Sequence, residues 1–149
     1  YSAHYIKSFL KEASFGGKKI VMGRSLGSAS AWEITSKREE FIDACIIESG
    51  FATEDSLLEL MGISSKSIEF KLSDGFQSLR KLKKYSKPLF VIHAENDHII
   101  PLSEGETMYR SVLSKNKKIL VVETANHNNI MYHAGNEYFR NIRDFIDSI

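Results

Sequence analysis

A single cysteine, Cys45, stands among 149 residues, so the chain cannot close an internal disulfide. That absence removes the disulfide-framed secreted scaffolds and leads us to expect a cytoplasmic protein. Long hydrophobic runs are also missing. A membrane-spanning helix needs about 20 consecutive apolar residues, and no stretch approaches this. Charge of one sign is lacking too: 20 Lys and Arg against 19 Asp and Glu leave a net charge of +1. Nothing in that balance draws the chain toward nucleic acid or an acidic partner. The densest basic stretch, Arg80-Lys81-Leu82-Lys83-Lys84, reads as the solvated face of a short helix. No His, Cys and acidic residues have metal-ligand spacing, and one cysteine cannot build a thiolate zinc site. No metal or other cofactor is expected. Repeats and low-complexity segments are absent. The chain begins at Tyr1 rather than Met, so the lack of a leader sequence carries no weight.

What is present is an alternation of apolar strands and amphipathic helices. Helices are expected over 2–13, 25–37, 103–114 and 135–148, and strands over 18–22, 44–48, 88–94 and 117–123. Strands this apolar are buried on both faces, which predicts an α/β fold with a parallel sheet flanked by helices. The last helix has its stripe at Tyr138, Ile142, Phe145, Ile146 and Ile149, close to a 3.6-residue period. Cys45 lies in an apolar strand and reads as a small buried hydrophobe. The length suits one domain, 1–149, with a real core. An irregular, part-helical excursion at about 50–85 interrupts the alternation.

The most informative stretch is Gly23-Arg24-Ser25-Leu26-Gly27. An apolar strand precedes it and a helix rich in small residues, Ser28-Ala29-Ser30-Ala31, follows. A G-x-S-x-G between strand and helix is a sharp turn that lifts the serine hydroxyl clear of the sheet. Both glycines are expected because a Cβ on either side would clash across the turn. A serine presented in this way needs a histidine to take its proton and a carboxylate to orient that histidine. The strand 88–94 runs into Glu95-Asn96-Asp97-His98-Ile99-Ile100-Pro101, which places Asp97 in a loop at a strand's C-terminal end. The strand 117–123 runs into Thr124-Ala125-Asn126-His127-Asn128, which places His127 likewise. The C-terminal edge is where a parallel sheet gathers its ligands.

Three segments, Gly23–Ser28, Ile92–Pro101 and Ala125–Asn128, together resemble the α/β-hydrolase superfamily, in particular its small esterase- and serine-peptidase-like members. The resemblance covers nearly the whole chain but only the second half of the family's fold, its last four strands. It implies Ser25 as nucleophile, Asp97 as acid, His127 as base and the Leu26 N–H as an oxyanion donor. Arg24, Phe51, His98 and Ile99 are the expected pocket residues. The function implied is hydrolysis of an ester, thioester or amide in a small-molecule, acyl or peptidyl substrate through an acyl-enzyme, with no cofactor. Transfer of the acyl group to an acceptor other than water differs only in the second step. A dehalogenase is disfavoured because the turn holds Ser rather than Asp. The alternative from another class is a non-catalytic remnant used for binding or assembly.

Competitors exist for each role. Glu48 ends a strand and is the alternative acid. Glu95 reads as a solvated loop residue, and His98 as lining the site or facing solvent. His93 reads as a hydrogen-bonded core histidine, and His4 and His133 fall on helices. In the family the excursion at 50–85 carries cap elements. Here Leu57, Leu58, Leu60, Met61, Ile63, Ile68, Phe70 and Phe76 supply apolar surface, for a pocket or for packing on the sheet. The family's fold also has a first half, one loop of which supplies a second oxyanion N–H. The resemblance therefore implies that the missing half, or another protein chain, covers the open edge of the first strand.

Overall fold

The computed structural model describes residues 2–38, 40–54, 58, 62 and 75–149. Four strands, β1 (Ile20–Arg24), β2 (Ala44–Glu48), β3 (Leu89–Ala94) and β4 (Lys117–Val122), form one sheet in that spatial order. Every pairing is parallel. Helices α1 (Ser2–Glu12), α2 (Gly27–Lys37), α3 (Ser78–Leu82), α4 (Leu102–Ser111), α5 (Ile130–Ala134) and α6 (Asn136–Asp147) alternate with them.

The two central strands are buried at every position because the sheet is covered on both faces. Cys45, Ile47, Leu89 and Val91 point to one face, where Ala31 and Trp32 of α2, Leu82 of α3 and Met108 of α4 meet them. Ala44, Ile46, Phe90 and Ile92 point to the other, against Ile130 of α5 and Tyr138 and Phe145 of α6. Successive residues of a strand face opposite ways, so β2 and β3 are hydrophobic on both faces except at Glu48 and His93 near their C-terminal ends. The stripe read on the last helix is the face that α6 lays on this second layer, with Ile142 and Ile149 partly buried beside it.

Strand β1 ends two residues later than its apolar run predicts. Parallel pairing extends it, with Gly23 opposite Ile47 and Arg24 opposite Glu48. Pro88 stays outside β3, yet its carbonyl still accepts the Cys45 N–H at 3.0 Å. Helix α4 stops at Ser111, before the expected 114, because Val112 turns to extended backbone (φ −72°, ψ 146°). The short helix α5 was not expected. Of the apolar residues in the excursion, Leu57, Leu60, Met61, Ile63, Ile68 and Phe70 lie outside the described residues. Leu58 is half-buried, and Phe76 packs its ring 5.9 Å from that of Phe51. The basic run Arg80–Lys84 falls on α3 and the turn after it, and Lys81 pairs with Glu33 at 2.6 Å.

Candidate active site

At the C-terminal edge of the sheet the backbone is strained. Ser25, directly after β1, has φ +51°, and Ser49, directly after β2, has φ +42°. Thr124, after β4, has φ +59°. Left-handed backbone costs a non-glycine residue roughly 1–2 kcal/mol, and such strain gathers at functional sites. The turn at Ser25 depends on close approach. A Cβ on Gly23 would sit 2.7 Å from the Cβ of Ala31 and 2.7 Å from the carbonyl oxygen of Gly27. The second glycine behaves differently from expectation: a Cβ on Gly27 meets nothing within 4 Å. Steric need therefore explains Gly23 but not Gly27, whose carbonyl packs against Gly23 while its own Cβ position is open.

This turn holds the half-buried Ser25 so that its Oγ lies 3.0 Å from His127 Nε2. The other ring nitrogen, Nδ1, lies 2.8 and 2.9 Å from the two carboxylate oxygens of Asp97. The three side chains are contributed by the turns after β1, β3 and β4, and are separated by as many as 102 residues in the chain. His127 and Asp97 are buried. With the carboxylate on Nδ1, that nitrogen carries the hydrogen, and Nε2 presents its lone pair to the serine hydroxyl.

Asp97 is itself built in. Its Oδ1 accepts the N–H groups of Ile99 (3.0 Å) and Ile100 (2.9 Å), a turn that locks the carboxylate's plane. Burial alone would push this carboxyl up. The Ile100 N–H, the imidazole, Ser49 and the Ile99 N–H outweigh it, and the group titrates below its ordinary value. The Ser49 contribution comes from its buried hydroxyl, which favours the charged carboxylate although it falls short of a well-formed hydrogen bond. Beneath the loop, His93 is fully buried and donates Nε2–H to the Ile100 carbonyl at 2.9 Å. Burial holds His93 below the ordinary imidazole value, against the opposing pull of the Ile100 carbonyl and Asp97, so it stands as a neutral structural residue.

The remaining sequence candidates are distributed as follows. Glu48 does not reach the imidazole: Arg24 Nε donates to its Oε1 at 2.8 Å, and the Tyr138 hydroxyl donates to its Oε2. Arg24 is thus engaged with Glu48, and its Nη2 donates to the backbone carbonyl of His127. Phe51 and Ile99 come together with Ala29 and Ile100 in a small apolar cluster beside the helix that follows Ser25. His98 is exposed. Glu95 is an exposed loop residue, as expected, and also accepts the Thr124 N–H at 2.8 Å, which braces the turn before His127. His133, on α5, meets the Thr124 hydroxyl at 3.0 Å. Leu26 lies where the amides have no acceptor within the helix, at the N-cap of α2. Among the described residues no group of three His, Cys, Asp or Glu side chains could hold a metal ion.

Sequence reasoning missed the roles of Tyr138 and Ser49. Tyr138 was legible only as one more member of an apolar stripe, because a phenol on a core face carries no sign of its partner. Ser49 had a fainter signal, a small polar residue followed by glycine at a strand end.

No protein-family model matches the chain. It is 30% identical over 127 residues to alpha/beta hydrolase domain-containing protein 17C of Mus musculus, an alignment covering 85% of this chain and 37% of that protein. It is 28% identical over 148 residues to uncharacterized membrane protein YNL320W of Saccharomyces cerevisiae, covering 97% of this chain and 51% of the relative. The chain therefore spans about half, or less, of the length of these curated relatives. Among solved structures it superposes on a monoacylglycerol lipase of Paleococcus ferrophilus with a TM-score of 0.72 at 16% identity, covering 99% of this chain and 74% of that one. Fold and sequence relatives together define the class: the chain is a partial α/β-hydrolase, carrying the last four strands of that fold. No helix among the described residues is long and apolar enough to cross a membrane.

Proposed function

We propose that the chain carries the reacting centre of a serine hydrolase. One observation carries the reading: His127 bridges Ser25 Oγ at 3.0 Å and Asp97 at 2.8 Å through its two ring nitrogens. Ser25 Oγ attacks the carbonyl carbon of an ester, thioester or amide while His127 Nε2 takes the hydroxyl proton. The same proton passes to the leaving alcohol, thiol or amine as its bond to the acyl carbon breaks. Water then attacks the acyl-serine, His127 takes a proton from it, and the acid leaves as Ser25 regains its hydrogen. Asp97 holds the ring in the tautomer this requires and stabilises its charged form. The Leu26 N–H donates to the oxygen on which negative charge develops. Phe51, Ala29 and Ile100 are packed into the core, and Ile99, partly buried against them, is the member of that cluster left for an acyl chain to touch.

A second oxyanion donor is needed, and losing one costs roughly 10²–10³ in rate in a comparable hydrolase. We place that donor on polypeptide outside this chain, as the coverage of the relatives suggests. Strand β1 is an edge of the sheet, with Met22 48% exposed on it, and the same polypeptide would cover that edge. The test is to label the native protein with a fluorophosphonate and map the adduct. Modification of Ser25 alone supports the reading; an adduct on Ser28 or Ser30 with Ser25 untouched overturns it.

A further inference from the structure

We infer that Arg24 is a positioning residue that ties the loop carrying His127 to the turn carrying Ser25. This rests on the reading of Ser25 and His127 given above.

Arg24 is the residue immediately before Ser25 and closes β1. Its guanidinium donates in two directions. Nε meets Glu48 Oε1 at 2.8 Å, and Nη2 meets the carbonyl oxygen of His127 itself. Residues 24 and 127 are thereby one hydrogen bond apart across 103 positions of sequence. Glu48 ends β2 opposite Arg24 in the parallel register, so the carboxylate is fixed by the sheet. Its second oxygen accepts the Tyr138 hydroxyl from α6. Glu48 and Tyr138 are both buried, at 6% and 5% exposure. Burial and the adjacent Glu48 push the Tyr138 phenol well up, so it stays a protonated donor. The carboxylate thus receives one donor on each oxygen, and the guanidinium is aimed by a fork that a lysine cannot reproduce.

The chemical consequence follows from reach. The His127 ring has two side-chain partners, Asp97 on Nδ1 and Ser25 on Nε2. Those bonds set the tautomer and the plane. They do not fix the backbone from which the ring hangs. Other bonds stiffen the loop from within or against its neighbour: the Asn126 N–H donates to Asn129 Oδ1 at 2.6 Å, and the Asn96 N–H to the Ala125 carbonyl at 2.9 Å. Among the described residues, the Arg24 bond is the one that ties the His127 backbone to the nucleophile's own strand. A base displaced by about 1 Å costs on the order of 10²-fold in rate.

The experiment uses the native protein and a fluorophosphonate, with two readouts: the rate of Ser25 modification, and the downfield proton resonance of His127 Nδ1. Arg24→Met alone would strand a buried carboxylate, so the informative variant is Arg24→Met with Glu48→Gln. It is expected to label about 10²-fold more slowly than wild type and to lose the Nδ1 resonance to exchange with water. Glu48→Gln alone keeps an acceptor for Arg24 and should stay within a few-fold of wild type. A double variant that labels at the wild-type rate with the resonance intact overturns the inference. If that variant fails to fold, Arg24→Lys keeps a cation for Glu48 but, as a point charge, cannot also hold the His127 carbonyl. Labelling several-fold slower supports the tie, and an unchanged rate and resonance overturn it. A wild-type protein unlabelled at Ser25 would sink the nucleophile reading, while the Nδ1 resonance would still report on the tie.

Discussion

Ser25 and Ser49 occupy the same place on neighbouring strands and lead different lives. Each directly follows its strand, each has positive φ, and each donates its N–H at 2.9 Å to the last part of the next strand, Ser25 to Glu48 and Ser49 to Ile92. Ser25 is half-buried with an imidazole nitrogen 3.0 Å from its hydroxyl. Ser49 is fully buried, and its hydroxyl completes no hydrogen bond. Strain at a strand end therefore does not make a nucleophile. What separates the two is the loop overhead: the turn after β4 brings His127 over Ser25, while Ser49 sits beside Asp97 and favours its charge.

The largest expected effect breaks the comparison at its active member. Ser25→Ala should lose on the order of 10⁶ in kcat, as removal of a nucleophile from such a unit does elsewhere. Ser49→Ala should stay within about tenfold, since it alters only the surroundings of Asp97. Turnover of a short-chain nitrophenyl ester by the native protein and the two variants reads this directly. Equal losses would mean that the two serines are not distinguished by His127.

Asp97→Asn should cost about 10⁴ in kcat, because an amide lets the imidazole adopt the wrong tautomer. The same ester assay measures it. Activity retained in full would remove Asp97 from the site and leave Glu48, fully occupied by Arg24 and Tyr138, as an acid with no access to the ring.

The folded-state value of Asp97 is lowered, so its carboxylate stabilises the native protein above its unfolded value of about 3.9. That stability is lost as pH falls from there through the lower folded value. His93 has the opposite chemistry and the same sign of slope. Its folded value is lowered by burial, so the unfolded chain binds a proton first as pH falls below about 6.5. The native protein should therefore melt at progressively lower temperature below about pH 6.5, and Asp97→Asn should make the part below about pH 4 shallower without removing it, because Glu33, Glu40 and Asp43 are also held below their ordinary values. Melting curves across this range separate the two groups.

Much of this was legible because the strands are unambiguous. The runs at 44–47 and 89–92 are apolar at every position, as expected of strands in a sheet covered on both faces. The loops holding Asp97 and His127 could then be placed at strand ends without further information. What the sequence does not carry is direction within a turn. Gly27 sits in the motif as expected, yet a Cβ there meets nothing within 4 Å. The motif points Arg24 toward a pocket, but its register opposite Glu48 turns its charge to a carboxylate. Pairing between residues 24, 48 and 138 depends on strand register and helix rotation, which no local pattern encodes.

The smallest effect tests the strain shared by the two turns. Glycine at either position relieves a left-handed backbone worth roughly 1–2 kcal/mol and gives back about 0.5–1 kcal/mol of unfolded-state entropy. Ser25→Gly gives up one half-buried hydrogen bond, to a histidine that stays held by Asp97. It should be inactive and slightly more stable, its melting temperature rising by about 1–4 °C. Ser49→Gly gains the same backbone relief. It also empties a fully buried site and takes away a group that favours the Asp97 carboxylate. Its melting temperature should be unchanged or lower at neutral pH. Calorimetry of the two variants side by side decides the point. A rise for Ser25→Gly with none for Ser49→Gly means the strain at Ser25 serves only the reaction, whereas equal rises would mean that Ser49 does nothing for Asp97.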